Sequence, residues 1–438
     1  MLVQSAVLWP SLDKCIDCNG KLEMITGKRC DHVASVWTGA EWKQISHGTK
    51  CCQDCGVRCK LNYAAKKGSK PNLLRCTDNN PIILLHAQFG FTYDYLVQVW
   101  HRMCRTGTSP GGEASTILLT FPSAKIGTTT KGAGNGQTMS EDRLARCIIQ
   151  GIFILLRLQQ KVYDFDVNDP MPDGDAVFDK PSDGLHIIFN AARDDPNYKE
   201  QSKFDVVTDG NFQINRKLQD DERMYANKNL PGRPNRSKKQ RVTAKGVVMA
   251  KPKSRCKHVE KVETMMLSRT QTGGLFVTMN MKNCGGGKNK ILHLGEMLNG
   301  ENTAYKRKCL QDMRKTKTKV RKYCHDCACV VGPHFDGVLV EESRLDGFHG
   351  KKHKCDWPAI EHKKRLNSSA AEQLWARLDK LSWIAKMTRP HYRCFLFHYC
   401  LWRNAFLLGS GRTDANPCLS RRKLLKRMPM KSMKKSTR

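Results

Sequence analysis

The run from residue 323 to 409 constrains this chain more than any other feature. It reads Y-C-H-D-C-A-C, then L-D-G-F-H-G-K-K-H-K-C, then N-S-S-A-A-E-Q-L-W-A-R-L, and closes on a second apolar helix pattern. An acid among clustered cysteines, two histidines four residues apart and a glutamate opening a helix pattern are more than core packing requires. Carboxylate oxygens suit hard divalent cations, whereas cysteine and histidine suit zinc. The glutamate also has a purely local reading, because Ser369-x-x-Glu372 is a capping box. Leu374, Leu378, Leu381 and Ala385 then share one helix face. The last helix is bounded by Pro390 and Gly409, with Tyr392, Phe395, Leu396, Tyr399, Trp402 and Phe406 as its core stripe.

The order of these pieces resembles the C-terminal half of the catalytic domain of the Kyakuja–Dileera–Zisupton (KDZ) transposases. In that family a YD-x-x-C element precedes VD-x-FH-x-x-x-H-x-C and N-S-x-x-x-EQ-x-x-x-x-L. The matching residues are Asp326 and Cys329, then Asp346, Phe348, His349, His353 and Cys355, then Asn367, Ser368, Glu372, Gln373 and Leu378. The resemblance extends to F-D-V-V-T-D-G-N-F-Q-I-N-R at 204–216, where Asp209, Gly210, Asn211 and Arg216 match the family's D-G-N-x-x-L-x-R around a first catalytic aspartate. Read from its residues alone, that segment is a hairpin with Asp-Gly at its turn, and Asp205 is a rival carboxylate. The resemblance implies a DDE triad of Asp209, Asp326 and Glu372 that holds two Mg2+ or Mn2+ ions. It also implies an RNase H-like mixed sheet with flanking helices, where periodicity alone yields only α/β or α+β. Cys329, His349, His353 and Cys355 are implied as a structural zinc site, with Cys324 and Cys327 as alternative ligands.

A second metal site is read from the first 75 residues. Cys15-x2-Cys18 and Cys52-x2-Cys55 are two knuckles of zinc-ribbon type, each presenting two thiolates from a tight turn. Between them V-A-S-V-W-T-G-A-E-W-K-Q-I alternates as strands of such a ribbon. This segment resembles the cysteine-cluster module found upstream of KDZ transposase domains. Cys15, Cys18, Trp37, Thr38, Cys52 and Cys55 match, whereas Cys51 stands where the family tends to carry arginine. Cys30, Cys51 and Cys59 are surplus, which leaves the ligand set open.

Composition narrows the partners. The 438 residues carry a formal charge of +34, which favours a polyanion, and nucleic acid is the commonest. The 20 cysteines come as C-x2-C and C-x-C pairs mixed with histidines, a pattern for metal rather than disulfides. The N-terminal M-L-V-Q-S-A-V-L-W-P has neither charged n-region nor long apolar run, so no secretory leader is expected. The apolar run from Cys147 is bounded by Arg146 and Arg157, too short for a bilayer, and reads as a buried helix within a helical pattern over 139–162.

The expected organisation is an α/β chain. A cysteine-cluster module at 1–75 precedes a mostly helical segment at 76–200, a nuclease-like core at 201–410 and a basic tail at 411–438. The G-A-G-N-G tract lacks a following G-K-[ST] and reads as linker. The acidic 164–175 run lacks a calcium loop's terminal glutamate. The Lys/Arg-rich 229–255 run and the tail are candidates for DNA phosphates or nuclear import, as well as for plain solvated charge. The resemblance therefore implies a nuclear DNA transposase, with DNA ends and target as partners, a possible homo-oligomer and no membrane association. A non-catalytic DNA-binding relative and a zinc-ribbon protein of transcription or RNA metabolism are the rival classes.

Overall fold

The computed structural model describes residues 7–25, 32–67, 72–73, 82–86, 89–121, 139–160, 203–211, 274–282, 289–297, 303–315, 318–347, 350–353, 355–360, 366–387 and 389–408. They form a mixed α/β protein with three sheets, divided into two compact units, 7–160 and 203–408. Among the described residues no helix is long and apolar enough to cross a membrane.

The first unit holds two sheets. One has five short strands, β1 (Leu22–Met24), β4 (Lys50–Cys52), β5 (Arg58–Cys59), β6 (Tyr63–Ala65) and β7 (Asn72–Leu73), in that spatial order. The other runs β3-β2-β9-β8, from β2 (His32–Trp37), β3 (Trp42–His47), β8 (Ile82–His86) and β9 (Phe89–Thr92). The strands between the cysteine knuckles therefore do not belong to the ribbon, as the alternation had suggested. β2 pairs in parallel with β9, Val36 opposite Gly90, so this sheet crosses the boundary expected at residue 75. The reason is aromatic: Trp37, Trp42, Phe89, Phe91, Tyr95 and Phe121 form one chain of ring contacts with centroids 5.1–6.2 Å apart. Gly90 of β9 is required where it pairs with Leu84 of β8, since a Cβ there would lie 2.6 Å from the Ile83 carbonyl oxygen. The ribbon is tied to this sheet by Asn62. Its buried amide donates to Leu84 O at 2.9 Å and accepts from Leu84 N at 3.1 Å, as a neighbouring strand would.

Three helices follow, α1 (Tyr93–Thr106), α2 (Pro110–Thr120) and α3 (Glu141–Gln160). Gly107 ends α1 at φ 76 with its N–H on Met103 O. Ser109 caps α2, accepting from Gly112 N at 3.1 Å, with Pro110 in the first turn. Buried Glu113 of α2 receives a forked bond from Arg102 of α1, at 2.6 and 2.9 Å. Glu113 is 8 % exposed and Arg102 is 43 % exposed, so the two halves of the pair are unequal. Arg102→Ala strands a buried carboxylate and is expected to cost about 3 kcal/mol, whereas Glu113→Gln, which leaves the cation able to reach water, costs about 1 kcal/mol. Urea denaturation of both variants checks the order.

The second unit is built on a sheet of order β12-β11-β10-β13-β14. Its strands are β10 (Lys203–Asn211), β11 (Gly274–Asn280), β12 (Ile291–Met297), β13 (Lys319–His325) and β14 (Val340–Leu345). β10, β11 and β12 are an antiparallel meander, while β13 pairs in parallel with β10, and β14 in parallel with β13. β11, G-L-F-V-T-M-N, is buried along its whole length, as a central strand with both faces covered must be. The hairpin expected over 204–216 is not formed at Asp209–Gly210: β10 continues through both, opposite Val277 and Phe276, to Asn211. Residues 212–216 lie outside the described residues.

Helix α4 (Thr303–Lys315) joins β12 to β13, and α5 (Ala328–Phe335) joins β13 to β14. The main core gathers Phe204, Val206, Leu292, Leu310, Met313, Val320, Tyr323, Val331, Phe335 and Val340 from these elements. Then come α6 (Ala370–Leu378), a 3-10 segment (Asp379–Lys386) and α7 (Arg389–Leu408). Leu374, Leu378 and Leu381 are buried as expected, but the chain tightens after Leu378 rather than continuing as one helix. On α7, Tyr392, Phe395, Leu396, Tyr399 and Trp402 are core. The Phe406 side chain, the 229–255 run and the 411–438 tail lie outside the described residues.

Candidate metal and carboxylate sites

The N-terminal cysteines meet as the spacing requires. Cys15, Cys18, Cys52 and Cys55 place their sulfurs within 4.8 Å of one another. Cys15 and Cys55 stand 3.4 Å apart, as do Cys18 and Cys52. Each knuckle is a closed turn. Cys15 N–H donates to Gly20 O at 2.8 Å, with Asn19 at φ 62, and Cys52 N–H donates to Val57 O at 2.9 Å, with Gly56 at φ 73. Gly20 is packed so tightly that a Cβ there would lie 2.0 Å from the Asp54 carboxylate. Pairing of β1 with β4, Leu22 opposite Cys52, sets the two turns side by side.

Burial raises the Cys15 thiol, yet the Cys18 and Asp17 backbone N–H groups outweigh it and bring it down to about 7. Cys55 is pushed up to about 12: the Val57 N–H lowers it, but burial and the facing cysteines raise it more. Four thiols that oppose one another's ionisation are what a dication relieves. The surplus cysteines are also sorted. Cys51 and Cys59 are outside the four-sulfur group, and the buried Cys59 thiol is raised to about 11 by desolvation and the nearby sulfurs. Cys30 lies outside the described residues. This cluster can hold a metal such as zinc.

A second donor group is Cys329, His353 and Cys355, again within 4.8 Å of one another. His353 Nδ1 lies 3.6 Å from Cys329 Sγ and 3.7 Å from Cys355 Sγ. Cys329 comes from the first turn of α5, and His353 and Cys355 follow a 3-10 turn (Gly350–Lys352). His349, expected as a fourth ligand, lies outside the described residues. Cys324 and Cys327 are not in this group; Cys324 is fully buried in the sheet.

The three carboxylates are carried by β10, the end of β13 and the first turn of α6. Val207 pairs with Cys324 in the parallel β10–β13 register, so Asp209 and Asp326 lie two residues on at the same end of neighbouring strands. Adjacent strands are about 4.8 Å apart. Asp209 is held at both oxygens: Gly210 N–H donates to Oδ1 and the Trp375 indole N–H donates to Oδ2, each at 2.8 Å. Trp375 is one turn beyond Glu372 on α6, so the bond draws Glu372's helix onto Asp209. The buried Cys324 thiol is raised by desolvation and by the charges of Asp346, Glu372 and Asp326. The three carboxylates do not themselves form one of the groups whose donors all lie within 4.8 Å.

Burial raises Asp326, but His325 and then Lys306 of α4 overcome it and hold the carboxyl well below its usual range. His325 Nδ1 stands 2.5 Å from Asp326 Oδ1 and also accepts the Cys327 N–H at 2.8 Å. His325, Asp326 and Cys327 make a third group with donors close enough for one ion. The rival Asp205 is taken up elsewhere, in a forked pair with Arg321. The capping box is not formed, since Ser369 makes no side-chain cap bond. Asn367 replaces it: its Oδ1 accepts Ser369 N–H at 3.1 Å, its amide donates to Asn289 at 2.9 Å and Gln373 at 3.1 Å, and its N–H bonds Met281 O. Sequence reasoning missed the parts played by His325, Lys306 and Trp375. His325 adjoins Asp326 and Trp375 follows Glu372 by three, but Lys306 reaches the site only through the fold.

No protein-family model and no curated protein matches this chain.

Proposed function

We propose that the chain is a DNA strand transferase of DDE type, a KDZ-like transposase or transposon-derived relative, with Asp209, Asp326 and Glu372 as its metal-binding carboxylates. The observation that carries the reading is the junction at the ends of β10 and β13. Two aspartates lie on adjacent parallel strands, and a tryptophan on Glu372's own helix bonds the first of them. The strand order, a three-strand meander extended by two parallel strands, supports an RNase H-like fold. Carboxylate oxygens suit Mg2+ or Mn2+, and an Asp326 held ionised suits ligation. Bound there, such ions supply an activated water or 3′-hydroxyl and stabilisation of the leaving oxygen in an in-line displacement on phosphorus. The chain's own residues fix the donors: Trp375 and Gly210 orient Asp209, and Asn367 sets the start of Glu372's helix. The +34 charge supports DNA as partner, a nuclear location and binding through phosphates.

A second reading, a transposon-derived DNA-binding protein without cleavage, is favoured by one feature. The buried Lys306 already sets positive charge against Asp326, where an ion would otherwise do so. Incubating the full chain with duplex DNA and Mg2+ or Mn2+ separates the two. Ion-dependent cleavage or strand joining supports the first, and retained binding with no cleavage under any divalent ion supports the second. Trp375→Phe keeps the ring but loses the bond to Asp209. It is expected to lower the cleavage rate about tenfold with DNA affinity unchanged.

A further inference from the structure

His325, Asp326 and Cys327 bring an imidazole nitrogen, a carboxylate oxygen and a sulfur within 4.8 Å of one another. The backbone fixes the outer two. His325 ends β13, and its carbonyl accepts the Asp346 N–H at 3.2 Å. Cys327 stands just before α5, and its carbonyl accepts the Val330 N–H at 2.9 Å. The His325 ring lies parallel to that of Tyr323, with 6° between the planes and 6.0 Å between centroids, and Phe276 lies 6.4 Å away. His325 and Cys327 are buried, whereas the Asp326 side chain is 23 % exposed, which leaves an approach for an ion beside the carboxylate.

One contact inside the group calls for a cation. His325 Nδ1 accepts the Cys327 N–H at 2.8 Å, so it presents a lone pair rather than a proton. Asp326 Oδ1 stands 2.5 Å from that same nitrogen. Two acceptors so close repel, and a cation that takes both lone pairs turns the repulsion into two ligand bonds. The donor set says which cation. Oxygen alone would suit Mg2+ or Mn2+, but imidazole and thiolate beside it select zinc and weigh against magnesium. The Cys324 thiol, two residues before Asp326 and buried in the sheet, lies outside the group.

We infer that His325, Asp326 and Cys327 form a zinc site, separate from the two cysteine-rich groups, and that zinc bound there withdraws Asp326 from the Mg2+ or Mn2+ pair. A carboxylate shared with zinc has less charge left to offer a harder ion, so zinc acts on the carboxylate site as an inhibitor. The binding stands on the three donors alone; the withdrawal rests on the role of Asp326 proposed above.

The test uses the full chain and the metals alone. Zinc per chain is measured by equilibrium dialysis for the parent, Cys327→Ser, Asp326→Asn and Cys324→Ser, with circular dichroism to check folding. Cys327→Ser and Asp326→Asn should each hold one zinc fewer than the parent, and Cys324→Ser the same number. Asp326→Asn changes a partly exposed side chain and keeps the count decisive should Cys327→Ser fold poorly. Bound Mn2+ is then read by electron paramagnetic resonance as zinc is added. Zinc that empties the parent of Mn2+ should leave Cys327→Ser loaded until at least about tenfold more is present. Equal zinc in the parent and either folded variant overturns the site. Loss of one zinc from Cys324→Ser as well assigns the effect to packing and also overturns it. Equal displacement of Mn2+ from the parent and Cys327→Ser overturns the competition. A parent that binds no Mn2+ overturns the carboxylate reading and the competition with it, while the zinc count still decides the site.

Discussion

Asp326→Ala is expected to abolish strand cleavage, by about a thousandfold or more, while DNA affinity and its salt dependence stay at the parent's values. The size follows from what the carboxylate supplies. Charge stabilisation by a bound ion contributes several kcal/mol, and each 1.36 kcal/mol is about a factor of ten in rate. The separation of binding from cleavage follows from the location. Asp326 is largely shielded from solvent among His325, Lys306 and Cys327, so it adds no negative face for DNA to meet. The +34 background, to which the proposed phosphate affinity is ascribed, is almost unchanged by one residue. Removing Asp326 leaves the buried Lys306 without this anion, so folding must be checked alongside, and Asp326→Asn supplies a control of the same shape. Cleavage by Asp326→Ala at the parent's rate would show that this carboxylate is not part of the reaction. An inactive parent that still binds DNA would move the chain to the binding-protein reading.

Which parts of this were legible in the sequence depends on how local the encoding is. The C-x2-C pairs were legible because the spacing itself dictates the turn. Cys15 to Gly20 and Cys52 to Val57 close by bonds within six residues. The strand character of 32–47 was equally local, but its partner was not. Alternation says that a segment is a strand and nothing about which strand it joins, and the aromatic chain from Trp42 to Phe121 decided that. Asp209–Gly210 misled for the same reason. As a dipeptide it favours a turn, but pairing with Val277 and Phe276 of a fully buried strand holds it extended. Ser369-x-x-Glu372 has the letters of a capping box, yet Asn367 reached the backbone first, and its partners Asn289 and Met281, at the facing ends of β12 and β11, lie far earlier in the chain. Lys306 was invisible by spacing, because it matters only for what another element places opposite it. Local chemistry can be read from neighbours in sequence; electrostatic company requires the fold.

Stripping metal from the N-terminal cluster is expected to unfold the ribbon and loosen the sheet beside it. The five-stranded sheet consists of strands two or three residues long, and the core behind it is small: Cys15, Leu22, Cys52, Val57, Cys59 and Ala64. Three of those six are cysteines, two of them ligands, so the apolar burial left without metal is slight. A structural zinc in a small module supplies on the order of 10 kcal/mol, more than so few residues contribute by packing. The loss would not stay local. Leu61 packs with Ala34, Val36, Ile82 and Leu84, and Asn62 bonds the β8 backbone on both sides, so the ribbon braces the neighbouring sheet at Leu84. Cys18→Ser, at an exposed ligand, is the informative substitution, because serine replaces the thiolate without opening a cavity. It should lower zinc content and expose amides of both sheets to hydrogen exchange, whereas Cys51→Ser, outside the cluster, should leave both unchanged. A parent protein that keeps these amides protected in excess chelator, with zinc measured as absent, would show that packing alone holds the ribbon. Equal loss of zinc in Cys51→Ser and Cys18→Ser would show that the four-sulfur set is not the one that binds.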